Sequence, residues 1–142
     1  MRFMVMVRAT KASESGVLPT KELLADMGKY NEELAKAGVL VAAEGLQPSA
    51  KGARVRFSGT TRTVVDGPFT ETKELIAGFW LWQVKSKAEA LEWARRCPNP
   101  FPGQESEIEL RQVFEADDFG DEFTPELRAQ ENRVREKMAS KK

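Results

Sequence analysis

The chain has 142 residues with 22 Lys and Arg and 22 Asp and Glu, so its formal charge is +0 and no overall field attracts nucleic acid or anionic lipid. Hydrophobic residues make up 41% and charged residues 31%, proportions typical of a single globular domain and not of disordered or membrane proteins. The chain lacks histidine and has one cysteine, Cys97, which excludes Ser-His-Asp and Cys-His nucleophile systems, histidine or four-cysteine zinc sites and an intrachain disulfide.

Targeting and cofactor signals are absent from the sequence. The early apolar run at residues 3–7 is too short for a signal peptide, and no stretch approaches the roughly 18 apolar residues of a membrane-spanning helix. We therefore predict a cytoplasmic protein with no membrane partner. The glycines at 45, 52 and 59 do not form a phosphate loop, so we expect no nucleotide cofactor, and the residue counts predict no metal site.

The first part of the chain alternates strand and helix patterns. Residues 2–8 are apolar at odd and even positions, which predicts a strand buried on both faces. Residues 10–16 are polar and predict a loop. Thr20 is a typical N-cap for a helix with apolar residues at helical spacing, and Gly38 ends that helix. Residues 39–43 predict the next strand.

A hairpin, a strand and a second helix follow. Segments 54–57 and 63–65 flank a turn and predict the hairpin. Residues 79–84 carry aromatic and branched side chains on both faces and give the strongest strand prediction in the chain. Ser86 and Glu89 form a Ser-x-x-Glu capping box, which opens a helix.

The order of elements predicts the fold class. Cys97-Pro98 ends the second helix, and residues 107–114 predict the last strand. Without the hairpin, the order is the split βαβ pattern of a ferredoxin-like α+β fold, an antiparallel sheet with two helices on one face. The opposite face is apolar too, because Phe79 and Leu81 alternate with the tryptophans of their strand. A monomer would expose too large an apolar patch, so we predict a homodimer with its sheets packed face to face.

The end of the chain has a different composition. Residues 115–122 contain five acids and no base, whereas residues 128–142 contain six bases and two acids. Thr124-Pro125 predicts a helix start, and the helix carries a narrow apolar stripe, namely Leu127, Val134 and Met138. We divide the chain into a domain at 1–119 and a helical tail at 120–142. The tail is either a solvated segment or an arm that packs across a neighbouring subunit.

The densest polar cluster occupies residues 66–74. Asp66-Gly67-Pro68 predicts a tight turn with two interpretations. In the first, Asp66 accepts backbone hydrogen bonds and Phe69 fills the edge of the core. In the second, Asp66, Glu71 and Lys73 converge at the end of the sheet, where carboxylates near a cation bind a polar ligand or move a proton.

Other candidate groups have simpler explanations. Cys97 has no obvious activating base, so we expect a buried thiol in place of a reactive one. The hairpin carries four basic residues and no acid, typical of a solvated edge that discourages sheet pairing: Lys51, Arg54, Arg56 and Arg62. Strand 79–84 lacks the flanking basic residues of a nucleic-acid stacking platform, so we predict no nucleic-acid partner.

Several separated motifs resemble a known family. In chain order they are Glu44-Gly45-Leu46-Gln47-Pro48, Asp66-Gly67-Pro68-Phe69, Lys73-Glu74-Leu75-Ile76-Ala77-Gly78-Phe79 and Arg96-Cys97-Pro98. They resemble the DGPF branch of the YCII-related family over residues 1–119, and Asp118-Phe119-Gly120 with the helix from Thr124 is similar to the tail of a longer subgroup. The resemblance implies a dimeric α+β barrel of ferredoxin-like subunits.

The resemblance implies little about chemistry. Some relatives are proposed to use a histidine and aspartate pair in a pocket, and one branch is associated with hydrolytic dehalogenation, but this chain has no histidine. Acid/base chemistry would therefore rest on Asp66, Glu44 or Glu71, whose carboxyl needs burial to titrate near neutrality. Together with Lys73, these residues are the candidate pocket.

Two functions follow as expectations. The first is a dimeric small-molecule-binding protein with a weak or cryptic enzymatic pocket near the Asp66 loop. The alternative is a non-enzymatic regulatory or protein-interaction module. Family members are often encoded beside extracytoplasmic-function sigma factors, which links the alternative to such a factor.

Overall fold

The computed structural model describes residues 1–141. It divides into two compact units, Met1–Gln112 and a second that begins at Val113. The strands are β1 (Arg2–Arg8), β2 (Leu40–Gly45), β3 (Ala53–Ser58), β4 (Thr61–Asp66), β5 (Ile76–Gln83) and β6 (Ile108–Gln112). The α-helices are α1 (Lys11–Glu14), α2 (Lys21–Lys36), α3 (Lys87–Arg95) and, in the second unit, α4 (Pro125–Ser140). None of these helices is both long and apolar enough to cross a membrane.

Four strands form the main sheet in the order β2-β5-β1-β6, and β3 and β4 form a separate hairpin. Every pairing is antiparallel. This order, with α2 and α3 connecting the strands, is that of the ferredoxin-like α+β fold, so the predicted fold class is confirmed.

The core lies on one face of the main sheet. Trp80 pairs with Val5 and Trp82 with Phe3, so these four side chains share that face. All four are buried with residues from both long helices of the first unit: Tyr30, Leu34, Ala90 and Trp93. The two helices therefore cover the same face, as the sequence predicts.

The helix ends follow the predicted caps, with one difference. The Thr20 hydroxyl accepts a hydrogen bond from the Leu23 amide, and Gly38 adopts a φ of 75° just after α2, a conformation that glycine tolerates best. Ser86 accepts from the Glu89 amide at 3.1 Å, but the Glu89 carboxylate accepts from the Lys85 amide. The return hydrogen bond of the capping box therefore comes from the amide of Lys85, one residue before the N-cap Ser86.

The loop predicted at residues 10–16 contains the short helix α1, and here the prediction is wrong. Thr10 and Ser13 form a reciprocal capping box, in which each side chain accepts a hydrogen bond from the other residue's amide. Three polar residues and one alanine give no hydrophobic periodicity, so local capping specifies this turn of helix without any apolar pattern.

The second face of the main sheet carries apolar side chains that the helices do not cover. Met4 pairs with Leu81 and Met6 with Phe79, and all four side chains are partly exposed. Glu109 and Arg111 of β6 flank the methionines on this face. The arrangement fits the predicted homodimer, which stays a prediction.

The hairpin β3-β4 projects from the first unit, and nearly every residue in it is exposed. Its exposed apolar residues include Val55, Phe57 and Val64. The Arg62 guanidinium lies 4.5 Å from the centre of the Phe57 ring. The basic residues of the hairpin are exposed to solvent, although Arg54 stacks on Phe69 and Arg62 on Phe57.

The second unit combines an acidic segment with α4. Three phenylalanines contact one another in series, since Phe114 stacks on Phe119 at 4.9 Å and Phe119 lies 5.5 Å from Phe123. Residues Ala116–Glu122 form a 3-10 segment with a kink at Gly120. Thr124 caps α4 and Pro125 occupies its first turn, as predicted.

Candidate functional site

The Asp66 loop is anchored by a close contact between two backbones. A Cβ atom at Gly67 would lie 1.8 Å from the Ser49 carbonyl oxygen, so only glycine fits there. The Gly67 amide donates to the Gly52 carbonyl at 3.0 Å. The loop therefore packs directly on the segment that links β2 to the hairpin.

Glu14 and Ser49 continue this anchor. The Ser49 amide donates to Glu14 Oε2 at 3.0 Å, and the Ser49 hydroxyl donates to Glu14 Oε1. The same hydroxyl oxygen accepts the Phe69 amide at 2.9 Å. One serine thus joins α1, the segment after β2 and the Asp66 loop. No sequence pattern predicts this contact, because Glu14 and Ser49 lie 35 positions apart and match no motif.

The structure does not join the four predicted site residues through side-chain contacts. Asp66, Glu71, Lys73 and Glu44 are all exposed, and within residues 1–141 none of their side chains has a hydrogen bond or an ion pair. Lys73 is held through its carbonyl, which accepts from the Arg8 guanidinium. Only Glu44 lines the main pocket of the structure. The convergence predicted for Asp66, Glu71 and Lys73 stays a prediction.

The main pocket lies between α2 and the helix-covered face of the sheet. Its volume is about 970 Å³, which is large enough for a small molecule. The pocket exists because two glycines leave this end of the sheet without side chains. Gly78 of β5, two residues before Trp80, pairs with Gly45 of β2. A Cβ at Gly78 would lie 2.9 Å from the Glu44 carbonyl oxygen, so the close strand pairing requires glycine.

Apolar side chains form most of the pocket wall. The first turns of α2 and the segment before it contribute the larger set: Val17, Leu18, Leu23, Leu24 and Met27. Leu18 is 83% exposed and Leu24 59% exposed, so neither is committed to the core. Phe101 lines the pocket from the loop before β6. The burial of such a surface favours a ligand with a substantial apolar part.

A few polar groups interrupt this wall. Asn31 Oδ1 accepts the Trp80 indole N–H at 2.8 Å, and its NH2 group has no hydrogen-bond partner among residues 1–141. Glu44 and Lys51 also line the pocket. These groups supply a donor, an anion and a cation to orient a bound molecule.

Two titratable groups near the core are shielded from solvent. The Tyr30 hydroxyl donates to the Trp93 carbonyl at 2.6 Å, and burial raises the pKa of this phenol. Burial also raises the pKa of the Cys97 thiol to about 12. Neither residue lines the main pocket, and Cys97 has the properties of an inert thiol.

The structure supplies no metal centre in the part of the chain that it describes. Within residues 1–141, no three His, Cys, Asp or Glu side chains lie close enough together to hold a metal ion. The pocket can bind and orient a ligand through the groups named above, and Glu44 is its one carboxylate among these residues. Glu44 and Lys51 are the charged groups of the pocket wall that could take part in proton transfer there.

The pocket could have been anticipated from one feature of α2. Its apolar residues extend from Leu23 to Leu34, but only Tyr30 and Leu34 are buried. A helix with more apolar positions than its core contact requires leaves part of its stripe available to a ligand. Glycines in β2 and β5 at matching positions are the second signal.

Comparison with known proteins supports the family predicted from the motifs. Residues 1–117 match the model of the YCII-related domain. An uncharacterised protein of Rhizobium meliloti (strain 1021) is 35% identical over 82 residues, which are 58% of this chain. The chain spans 66% of the length of that relative, slightly less than two thirds.

Proposed function

We propose, from the premise that the chain belongs to the YCII-related family, that it binds a small molecule in the pocket between α2 and the sheet. The observation that carries the proposal is the uncovered apolar wall of this pocket. Leu24 of α2 and Leu18 just before it are exposed there, whereas Tyr30 and Leu34 of α2 are buried. A group of exposed leucines around a cavity marks a binding surface more often than a single exposed leucine does.

The pocket chemistry narrows the class of ligand. The wall favours an apolar body, whereas Asn31, Glu44 and Lys51 favour a polar group with both donor and acceptor atoms. We expect an amphiphilic metabolite such as a substituted aromatic or medium-chain amine or acid. If the pocket also catalyses a reaction, Glu44 is the residue that would accept or donate the proton.

A thermal-shift screen with matched variants tests this proposal. A ligand present at about 100 times its Kd stabilises the folded state by about 2.7 kcal/mol, which raises Tm by roughly 5 to 10 °C. We expect an amine hit to lose at least half of its shift in Glu44→Gln and to keep all of it in Asp66→Asn. Both substitutions remove one exposed carboxylate without a partner. Equal effects of the two substitutions on an amine hit, or no hit among aromatic and medium-chain amines and acids, would contradict the proposal.

We also propose that the protein is a homodimer through the second face of the sheet. Met4, Met6, Phe79 and Leu81 form an apolar patch at the centre of that face. Burying four fully exposed side chains of this size contributes about 6 to 12 kcal/mol before the cost of association, and these four, already partly buried, contribute less than that. Two sheets packed in this way would form the dimeric α+β barrel that the family resemblance implies.

A second candidate function is a protein-interaction module, with an extracytoplasmic-function sigma factor as its partner. The observation that favours it is the exposed apolar stripe and separated charge of the second unit. Size-exclusion chromatography of the purified chain with such a sigma factor from the same organism tests it. Co-elution that the deletion of residues 120–142 abolishes would support the module, and separate elution would reject it.

A further inference from the structure

Helix α4 presents an apolar stripe that residues 1–141 leave uncovered. Leu127, Val134 and Met138 lie at positions i, i+7 and i+11, which places them on one side of the helix. Their exposed fractions are 44%, 48% and 67%. Polar and charged residues occupy the other sides, and α4 has no buried residue. The stripe is long and narrow, a shape that suits a second helix.

The charges of the second unit are separated along its length. Residues 115–122 carry five acids and no base, and residues 133–141 carry four bases with Glu136 as the single acid. Asp121, Glu122 and Glu126 at the acidic end have no side-chain hydrogen bond or ion pair within residues 1–141. The same is true of three bases at the other end, namely Arg133, Lys137 and Lys141.

The acidic segment is held beside the start of α4. Arg128 forms an ion pair with Asp117 at 3.2 Å and also donates to the Ala116 carbonyl. Its guanidinium lies 5.2 Å from the centre of the Phe123 ring. These contacts present the acids as a defined surface next to the first turn of the helix.

We infer that α4 pairs with α4 of a second copy of this chain in an antiparallel arrangement. In this arrangement the basic end of each helix lies over the acidic segment of the other, and both stripes are covered. A parallel pair would bring the two acidic segments together and the two basic ends together, which is unfavourable. The same acids would repel an anionic membrane, so a lipid surface suits this unit less well.

The apolar positions define one register. When Leu127 lies opposite Val134 of the second copy, Phe123 lies opposite Met138 of the second copy, and every apolar residue of the stripe meets another. Lys137 and Lys141 then lie opposite residues 120–124, within reach of Asp121 and Glu122. The pairing uses none of the residues that line the pocket or form the apolar patch of the second sheet face.

Disulfide trapping tests the orientation directly. In a full-length Cys97→Ser background, Leu127→Cys and Val134→Cys proteins are prepared separately, mixed at micromolar concentration and oxidised. The register places the two cysteines opposite each other. Equivalent cysteines of two identical chains would lie about 10 Å apart along the axis, which is beyond the roughly 7 Å Cα separation that a disulfide spans. We expect the mixture to form at least five times more 127–134 heterodimer than either variant forms homodimer.

Matched controls decide the outcome. Asn132→Cys lies on the opposite side of α4, and its mixture with Val134→Cys should not cross-link. Glu122→Lys should reduce the trapped heterodimer severalfold, and Lys137→Glu added to it should restore it. Homodimer formation by Leu127→Cys alone would indicate a parallel pair and overturn the proposal. A mixture that does not cross-link would also overturn the proposal. The same holds if the chain instead sediments with phosphatidylserine vesicles and Val134→Glu abolishes that sedimentation.

Discussion

Glu14 accepts two hydrogen bonds from Ser49, one from its amide at 3.0 Å and one from its hydroxyl. Through the second contact of that hydroxyl, the Phe69 amide is tied to the same carboxylate. The most recognisable sequence motif of the chain is therefore attached to α1, whose residues Ala12 and Ser13 line the pocket. The loop therefore supports a segment of the pocket wall even though Asp66 does not line the pocket.

Removing the serine hydroxyl should loosen the Asp66 loop. Ser49→Ala leaves the Phe69 amide without its acceptor and removes one bond to a carboxylate, so we expect a loss of about 1 to 3 kcal/mol in the free energy of unfolding by urea. Hydrogen exchange of the Phe69 amide should accelerate at least roughly tenfold. Glu71→Gln, a change at an exposed residue, should stay within about 0.5 kcal/mol of the wild type.

Two glycine substitutions should have opposite effects. In Gly67→Ala the new Cβ would overlap the Ser49 carbonyl, so the loop must move, and we expect destabilisation of about 2 kcal/mol or more. In Gly28→Ala, on the exposed side of α2, nothing lies within 4 Å of the new atom. Here we expect stabilisation by about 0.5 to 1 kcal/mol. Equilibrium urea unfolding measures both, and equal destabilisation would show that the close approach at Gly67 is not the cause.

The sequence predicted the fold well because its strongest signals are local. The aromatic and branched residues around Trp80 and Trp82 predict a strand with apolar side chains on both faces, and caps such as Thr20 predict where helices begin. Residues 107–114 were predicted as a strand, but the structure has a shorter one, Ile108–Gln112. The contact between Glu14 and Ser49 could not be read in the same way, because it depends on how distant segments pack.

The candidate site shows the same limit. Asp66, Glu71 and Lys73 were chosen because polar residues are dense there, yet a dense polar segment is also what an exposed loop contains. The pocket is assembled from four distant segments of the chain, whose apolar residues look like ordinary core positions in the sequence. Glu44 is the one predicted residue at the pocket, because it lies at the end of edge strand β2 beside the glycine pair of β2 and β5.

A charge on the second face of the sheet should separate the proposed dimer. In Leu81→Glu a carboxylate replaces a residue at the centre of the apolar patch, and two such groups would meet across the interface. We expect each Leu81→Glu particle to contain half as many chains as a wild-type particle when both sediment at micromolar concentration. Leu91→Glu, a similar change at an exposed position of α3, should leave the number of associated chains unchanged. A wild type that is strictly monomeric would contradict the proposed interface.

The thiol of Cys97 should be unreactive in the folded protein. Because burial raises its pKa to about 12, the folded state keeps the proton that the unfolded chain loses near pH 9. At pH 8 we expect iodoacetamide to modify native Cys97 roughly a hundredfold more slowly than in urea. The raised pKa also stabilises the fold below about pH 9, and this contribution is lost as the pH rises from 9 towards 12. Similar alkylation rates in the two states would show that the thiol is accessible.

The indole N–H signals in a proton–nitrogen correlation spectrum test the central claim most directly. Among the three tryptophans, Trp80 lines the pocket and donates to Asn31, whereas Trp82 and Trp93 do not line it. We expect titration with 8-anilinonaphthalene-1-sulfonate, an anion with a large apolar part, to shift the Trp80 signal. The Trp82 and Trp93 signals should not shift. A titration that leaves Trp80 unchanged while amides of the Asp66 loop or of the Met4 face shift would contradict a binding site between α2 and the sheet.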